Sequence, residues 1–361
     1  MAKAAGSKRP LIKAVKKPQP RGASPAALAL SGGAALLAAA LCLAAAAWAS
    51  RHRWAPAAPP PPPVTLLYCD GGHYFKFFEP ALRAAVAPRA LQIVEEEAAA
   101  SPHAVAYSVT GGAHRSYPAA RRILFVGEPS FHPASAQAAH LTVHCARDLP
   151  GAAYVPFWAT SFGERRRHAP ADLLHDTAAV ERALAGKTRF CAFLYSRPAQ
   201  ERDALFDLLS AYKPVAALGR SKSGDARAGA DRAVYTPDLT YMDLAVQKYA
   251  PFKFVIAGEN SRRPGYVTEK IVSAMLAHAV PIYVGAPDIA EHFDPGSFID
   301  ASAMTPEALL AEVRRLDADD DAYRAMLMRP WLPGNALPKW FDVEWQADML
   351  RPGLEGLREG E

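Results

Sequence analysis

Short apolar runs bounded by turn residues recur along the chain and are the first guide to its fold. They have the length of β-strands and lie at residues 64–68, 123–126, 154–157, 190–195, 252–257 and 280–284. Between several of them the apolar positions take a helical period, as at residues 204–209 and 271–279. Strands that alternate with helices are typical of βαβ units, so the pattern predicts an α/β fold with parallel sheets.

The strand-like runs fall into two groups, which predict two α/β lobes. The N-terminal lobe is predicted over residues 64–178 and the C-terminal lobe over residues 179–330. Residues 331–361 contain Trp331, Trp340 and Trp345 and are predicted to pack back on the body, because exposed tryptophans would form a costly apolar patch. An aromatic platform for a ligand is the alternative interpretation of these tryptophans.

The N-terminal residues have a different pattern. Residues 26–49 form an uncharged apolar run long enough to cross a bilayer, and residues 1–25 before it hold seven basic and no acidic residues. Five consecutive prolines end the stretch 50–63. The pattern predicts a basic cytoplasmic tail (1–25), a transmembrane signal-anchor helix (26–49) and a proline-rich stem (50–63). A cleaved signal peptide is the alternative, since residues 45–47 read Ala-Ala-Ala, a small-residue site.

Composition excludes several classes of protein. The chain has 361 residues, of which 50% are hydrophobic, so disorder is not its general state. Nine basic residues lie within residues 1–53, and removing them from the net charge of +5 leaves −4 on the rest. A basic nucleic-acid footprint is therefore missing from the body, and nucleic acid is not expected as a partner. Cys69, Cys145 and Cys191 form no Cys-x-x-Cys pair, which argues against a zinc site.

Residues 252–288 carry the clearest candidate chemistry. A strand is followed by a polar turn with Glu259 and Asn260, and a helix then begins near Thr268, its predicted N-cap. Ligands of open α/β sheets bind at the carboxyl ends of strands, and a helix N-terminus attracts anions. Lys270 is a candidate cation for a phosphate, and Glu269 is a candidate acceptor for sugar hydroxyls. An ordinary solvated first turn is the alternative interpretation of both residues.

The same stretch resembles the signature of a known family. Glu259-Asn260-Ser261, the GYVTEK sequence of residues 265–270 and the PIYVGAPD sequence of residues 281–288 are similar to motifs of the α1,3/α1,4-fucosyltransferases, glycosyltransferase family 10. Further similar blocks lie at residues 123–129, 154–158 and 187–198. The resemblance implies a GT-B fold, with two Rossmann-like lobes facing a cleft, and a type II Golgi membrane enzyme with a lumenal body.

The resemblance also implies a reaction and a set of site residues. Fucose would be transferred with inversion from GDP-fucose to a hydroxyl of a GlcNAc-containing glycan on a glycoprotein or glycolipid, giving an α1,3 linkage. Glu128 matches the family's general base, and Arg202 and Lys270 match the cations that contact the diphosphate. Asn260, Tyr266 and Glu269 match residues around the ribose and the fucose, and Ser196 is a weaker match in the donor site.

No metal is expected to be required, and Mn²⁺ is expected at most to stimulate. The acidic residues Asp317, Asp319, Asp320 and Asp321 resemble an Asp-x-Asp metal motif, but they follow an amphipathic helix and lie outside the matched blocks, so they are not interpreted as metal ligands. Lys253 is interpreted as a surface lysine, although a donor contact is the alternative.

The chain departs from the family pattern at three positions of the candidate site. Gly258 and Val284 stand where the family has phenylalanine and tryptophan, and Arg197 stands where it has asparagine. We expect the first two to leave the donor pocket looser or filled differently. Two alternatives therefore stay open: a GT-B transferase with another GDP-sugar or linkage, and a catalytically silent, membrane-tethered glycan-binding protein.

Overall fold

The computed structural model describes residues 32–51, 59–95, 101–129, 138–165, 167–222 and 239–358. They fall into two compact units, Met1–Pro59 and Pro60–Glu361. The first unit contains helix α1 (Gly32–Arg51), whose side chains between residues 36 and 48 are exposed. Within the described residues, no helix is both long and apolar enough to span a bilayer. The predicted transmembrane helix over residues 26–49 thus finds no support there, and residues 1–31 and 52–58 lie outside the described part.

The second unit begins with a six-stranded parallel sheet. Its strands are β1 (Val64–Tyr68), β2 (Leu91–Glu95), β3 (Ala104–Ser108), β4 (Arg121–Val126), β5 (Leu141–His144) and β6 (Ala153–Tyr154), in the order β2-β1-β3-β4-β5-β6. Leu66 pairs with Ala104, and Ala106 pairs with Ile123. The side chains of β3 are all buried, as expected of an inner parallel strand covered on both faces. Helix α2 (Glu79–Val86) connects β1 to β2.

One predicted strand of this lobe is wrong in most of its length. Only Tyr154 of the predicted strand 154–157 lies in the sheet, as the last residue of β6, and Phe157 begins the short helix α3 (Phe157–Thr160). Pro156 is the N-cap residue, with an extended backbone, and proline has no N–H to donate to a neighbouring strand.

The predicted boundary between the lobes, residues 178 and 179, lies inside helix α4 (Thr177–Leu184). A 3₁₀ turn, Pro170–Leu173, precedes α4. Asp176 caps α4, because its Oδ1 accepts hydrogen bonds from the N–H groups of Ala178 and Ala179.

A second parallel sheet forms the C-terminal lobe. Its five strands are β7 (Arg189–Phe193), β8 (Val215–Ala217), β9 (Phe252–Gly258), β10 (Val280–Val284) and β11 (Ile299–Asp300), in the order β11-β10-β9-β7-β8. Its helices are α5 (Gln200–Ser210), α6 (Tyr241–Tyr249), α7 (Glu269–Leu276), α8 (Pro306–Ala318) and α9 (Asp320–Leu327). The predicted runs at 190–195, 252–257 and 280–284 correspond to β7, β9 and β10.

The C-terminal residues return to the N-terminal lobe. Helix α10 (Val343–Leu350) packs against α2, and Arg121 donates a hydrogen bond of 2.8 Å to the carbonyl of Pro352. Trp340 is 7% exposed and its ring lies edge-on to Trp158, with ring centroids 5.8 Å apart. Trp331, whose ring lies 5.4 Å from that of His278 in the C-terminal lobe, and Trp340 are buried, and Trp345 is half-buried.

The lobes also meet at the loop that precedes α7. The N–H of Arg147 donates to the carbonyl of Pro264 (2.9 Å), and the Tyr154 hydroxyl donates to the carbonyl of Gly265 (2.9 Å). Gly265 has a φ of +75°, and a Cβ there would lie 2.7 Å from Cγ of Arg147, so both the backbone and the close approach of the lobes require glycine. These contacts fix the start of α7 relative to the N-terminal lobe.

Candidate active site

A cavity of about 610 Å³ lies between the two lobes. Glu128 lines it from the N-terminal lobe, and every other lining residue belongs to the C-terminal lobe. Six of the seven predicted site residues line it: Glu128, Ser196, Arg202, Asn260, Glu269 and Lys270. The remaining lining residues are Leu194, Tyr195, Arg197, Arg220, Tyr241, Met242, Ala245, Tyr249 and Ser273.

Parallel strands bring these residues together. Glu128 follows β4, Ser196 follows β7 and Asn260 follows β9, so all three stand beyond the carboxyl ends of strands. Arg202 lies in the first turn of α5, and Glu269 and Lys270 open α7. The cavity is therefore built from sheet ends and helix N-termini, where backbone N–H groups and helix dipoles favour an anion.

Arg202 is the most buried cation on the cavity wall, at 4% exposure. Its Nη1 donates to Oδ1 of Asn260 (2.7 Å), and its Nη2 donates to the carbonyl of Arg197 (2.6 Å). The guanidinium carbon lies 4.2 Å from the centroid of the Tyr195 ring. Nε is buried with no hydrogen-bond partner among the described residues. The side chain is thus held on three sides.

Gly258 provides the space that this arrangement needs. A Cβ at position 258 would lie 2.8 Å from Cβ of Arg202 and 3.1 Å from Cγ1 of Val284. The backbone N–H of Gly258 donates to the Tyr195 hydroxyl (2.7 Å), which donates in turn to the carbonyl of Ile256 (2.8 Å). The sequence left two possibilities for this position, a looser pocket or a pocket filled by other side chains. The second is observed, because Arg202 and Val284 fill the space.

Lys270 is surrounded by oxygen atoms of the protein. Its Nζ donates to Oγ1 of Thr268 (2.8 Å) and lies 3.3 Å from Oε2 of Glu259 and 3.8 Å from Oε1 of Glu269. Burial lowers the pKa of Lys270, but the two carboxylates outweigh burial and raise it above its usual value. Lys270 is therefore a firmly charged ammonium group.

Glu259 organises the start of α7 and does not line the cavity. Its side chain is fully buried, Oε1 accepts from the N–H of Thr268 (2.7 Å) and Oε2 accepts from the Thr268 hydroxyl (2.7 Å). Burial raises the pKa of Glu259, and Lys270 and Thr268 oppose the rise. Thr268 stands at the predicted N-cap position but makes no side-chain capping bond: its hydroxyl donates to Glu259, and its oxygen accepts from Nζ of Lys270.

Tyr266 and Glu128 differ sharply in exposure. Tyr266, the seventh predicted site residue, is 2% exposed and does not line the cavity. Burial raises its pKa, and Glu259, Glu128 and Glu269 add to the rise. Glu128 is exposed at the cavity rim. A carboxylate in this position can accept a proton from a hydroxyl group that enters the cavity from solvent.

Sequence reasoning missed one wall of the cavity. Tyr241, Met242, Ala245 and Tyr249 project from α6, whose N-terminus is closed by a capping box between Thr240 and Asp243. Arg220 and Arg197 add two exposed guanidinium groups. The helical spacing of the α6 residues is the signal that was available, but spacing alone does not separate a cavity wall from core.

The residues set aside in the sequence lie away from the cavity lining. Lys253 donates to the carbonyl of Asp317 (3.0 Å) and to Oδ1 of Asp320 (3.2 Å), and its side chain is only 13% exposed, so the interpretation as a surface lysine is wrong, and it does not line the cavity either. Asp319 caps α9 by accepting from the N–H of Ala322. Among the residues that the structure describes, no group of three histidine, cysteine, aspartate or glutamate side chains is placed to hold a metal ion.

Comparison with known proteins gives matches to fucosyltransferases. Residues 184–329 match the model of a family described as glycosyltransferase family 10 (fucosyltransferase), C-terminal. The α-(1,3)-fucosyltransferase FucT of Helicobacter pylori is 30% identical over 144 residues, 39% of this chain and 27% of that protein. The α-(1,4)-fucosyltransferase of Arabidopsis thaliana is 42% identical over 73 residues, 20% of this chain and 18% of that protein. The chain thus covers about a quarter or less of these relatives' length.

Solved structures agree at the level of the fold. An α1,3-fucosyltransferase crystallised with GDP superposes with a TM-score of 0.59 at 20% identity, over 84% of this chain and 93% of that one. The GT-B arrangement predicted from the resemblance is the fold of these neighbours, and the two parallel sheets described above fit it. The sequence motifs and the family match agree: residues 184–329 are similar to the C-terminal domain of glycosyltransferase family 10, the fucosyltransferases.

Proposed function

We propose that the chain is an inverting fucosyltransferase that moves L-fucose from GDP-fucose to a hydroxyl of a GlcNAc-containing glycan, with an α1,3 linkage. The observation that carries this proposal is the placement of Glu128 on the same cavity as Arg202 and Lys270. A base for the acceptor hydroxyl and cations for a departing diphosphate are the two requirements of the reaction. A fold relative crystallised with GDP-fucose supports the donor.

Donor binding follows from the charges on the C-terminal wall. Arg202 presents a guanidinium group suited to two phosphate oxygens, and Lys270 and the N-terminus of α7 add positive charge beside it. Asn260 and Glu269 line the same cavity and are assigned to the ribose and the fucose hydroxyls, with Ser196 beside them. Tyr266 is assigned to the packing behind them.

The transfer itself requires one proton acceptor and one leaving group. Glu128 takes the proton of the acceptor hydroxyl. At the same time the oxygen of that hydroxyl attacks the anomeric carbon of β-linked fucose. The bond between that carbon and the diphosphate breaks, and the electron pair leaves with GDP. Arg202 and Lys270 stabilise the charge that develops on the diphosphate. The product is an α-fucoside, and the cations make a metal ion unnecessary, so Mn²⁺ is proposed only to stimulate.

The linkage and the acceptor are the less constrained parts of the proposal. The similar proteins include an α-(1,4)-fucosyltransferase and the human GDP-fucose protein O-fucosyltransferase 3, which is 33% identical over 78 residues, 21% of this chain and 16% of that protein. The α1,3 linkage and the GlcNAc-containing glycan, on a glycoprotein or a glycolipid, rest on the motif resemblance. Another GDP-sugar or linkage is the second candidate function, favoured by the Gly258 and Val284 departures.

For the location we propose a single-pass type II arrangement in the Golgi membrane with a lumenal body. The support is sequence alone: the basic residues of 1–25, the uncharged run 26–49 and the proline-rich stretch 50–63. Alkaline carbonate extraction of cells that express the full chain measures membrane insertion. Release of the chain into the soluble fraction would contradict the arrangement.

The decisive test of the function compares donor binding with turnover. Calorimetric titration of the full chain with GDP, GDP-fucose and GDP-mannose, each with and without Mn²⁺, identifies the donor. Glu128→Gln is expected to lower transfer at least about 100-fold and to leave GDP affinity within about twofold. Glu95→Gln, at an exposed carboxylate of the same lobe, is the matched control.

Each other outcome has its own meaning. Transfer by Glu128→Gln at a rate near that of the unmodified chain would show that Glu128 is not the base. A preference for GDP-mannose would favour the second candidate function. A folded chain that binds no nucleotide would favour a glycan-binding protein.

A further inference from the structure

Arg165 is a buried cation that the proposed reaction leaves unused. It is 6% exposed and follows a 3₁₀ turn, Ser161–Gly163, at the edge of the N-terminal lobe. Its Nη2 donates to Oγ of Ser273 on α7 (2.9 Å). Nε and Nη1 are buried with no hydrogen-bond partner among the described residues. A buried guanidinium group with open N–H groups is costly unless carboxylates nearby balance its charge.

The position of Ser273 places this charge behind the cavity wall. Ser273 comes one helical turn after Glu269, so the two side chains share one face of α7, and both line the cavity. Side chains of a helix lean toward its N-terminus, so the Ser273 side chain, which accepts from Arg165, leans toward the turn that holds Glu269. Burial lowers the pKa of Arg165. The negative charge of Glu269 opposes this shift most strongly, and that of Asp243 comes next. Arg165 itself does not line the cavity.

The charge behind the wall matters because of Lys270. Nζ of Lys270 lies 3.3 Å from Oε2 of Glu259 and 3.8 Å from Oε1 of Glu269. A diphosphate must compete with both carboxylates for this ammonium group. A cation on the far side of Glu269 offsets part of that competition, since it neutralises Glu269 without occupying the cavity.

We propose that Arg165 is a positioning residue that neutralises Glu269 from behind the cavity wall and so leaves Lys270 available to the diphosphate of a nucleoside-diphosphate sugar. The proposal rests on the proposed function, because it assumes a diphosphate at Lys270. It adds a residue of the N-terminal lobe to the donor site, although the other donor residues all belong to the C-terminal lobe.

A double-mutant cycle with GDP as the ligand tests the pairing. GDP lacks the fucose that Glu269 is proposed to contact, so its affinity reports on the diphosphate site. Arg165→Met is expected to weaken GDP binding about tenfold or more, because Glu269 is then left uncompensated beside Lys270. In the Glu269→Gln background the same substitution is expected to cost less than about threefold. Arg324→Met, which removes an exposed guanidinium group paired with Glu181, is the control for net charge.

The outcomes separate the proposal from its alternatives. Equal losses in both backgrounds, or no loss in either, would overturn it in favour of a purely structural arginine. Coupling to Asp243→Asn and not to Glu269→Gln would assign the guanidinium group to α6 and overturn it as well. An unmodified chain that binds no GDP would reject the proposed function first, and this inference with it.

Folding of the variants is followed by thermal melting. An Arg165→Met chain that folds only together with Glu269→Gln supports the pairing. If Arg165→Met folds neither alone nor together with Glu269→Gln, Arg165→Lys is used instead. Because lysine keeps the positive charge, its GDP affinity is expected within about threefold of that of the unmodified chain. A loss of tenfold or more would overturn the proposal.

Discussion

A single methyl group at Gly258 tests the donor site directly. In Gly258→Ala the new Cβ would lie 2.8 Å from Cβ of Arg202, about 0.8 Å closer than ordinary carbon–carbon contact. Cβ of Arg202 is close to the backbone of α5, so the side chain cannot escape by rotation alone. Either α5 or β9 has to move, and the guanidinium group moves with it.

The size of the effect follows from what holds Arg202. Its hydrogen bonds to Asn260 and to the carbonyl of Arg197 are 2.7 and 2.6 Å long. A shift of about 0.8 Å stretches at least one of them beyond the normal range, and a charged hydrogen bond contributes about 1.5–3 kcal/mol. Loss of one such bond corresponds to GDP affinity lower by roughly 10–100-fold. The crowding itself is expected to cost about 1–3 kcal/mol of folding stability.

Two measurements on the same samples check this prediction: calorimetric titration with GDP and urea unfolding. Gly112→Ala is the matched control, because the φ of Gly112 is negative (−158°) and a Cβ there would approach Nη1 of Arg115 only to 3.9 Å. GDP affinity of Gly258→Ala within about twofold of the unmodified chain would refute the claim that the close approach at Gly258 positions Arg202. Equal losses in the Gly112 variant would refute it too.

Two further predictions concern stability. Tyr195→Phe removes a buried hydroxyl that pairs with the backbone of Ile256 and Gly258, so the free energy of unfolding should fall by about 2–4 kcal/mol in urea titrations, and a change below about 0.5 kcal/mol would contradict the buried pairing. Burial lowers the pKa of His292 from 6.5 to about 4, so between these pH values the unfolded chain binds a proton that the folded chain does not. The contribution of His292 should therefore lower stability by about 3 kcal/mol as the pH falls through that window. Urea unfolding at stepped pH, compared with His292→Gln, measures it, and identical pH slopes in both chains would contradict it.

The strands that the sequence predicts well share a physical cause. β1 and β10 begin and end where the apolar runs do, because nearly all of their side chains are buried. β3 was missed although it is fully buried, since it is partly alanine and its run does not stand out. β2 lies at an edge of its sheet and keeps polar side chains exposed, so its run is interrupted.

The candidate site likewise contains residues that a local sequence pattern reveals and residues that only the packing of distant segments brings together. Motif residues such as Asn260, Glu269 and Lys270 could be placed because they follow one strand and open the next helix. The contact between Gly258 and Arg202 joins positions 56 residues apart through the packing of α5 on β9, and no local pattern contains that information. The wall formed by α6 was missed for the same reason.

The distribution of charge in the cavity bears on the choice between an enzyme and a silent binding protein. Arg202 and Lys270 are largely buried, and Glu259, Asn260 and Thr268 are arranged around them. Burying such charges costs several kcal/mol per ion unless partners balance them, and neutral residues of similar size would be more stable. A protein that only binds a neutral glycan has no use for these cations, whereas a diphosphate requires them. With the exposed carboxylate of Glu128 on the opposite wall, the arrangement favours a transferase over a binding protein.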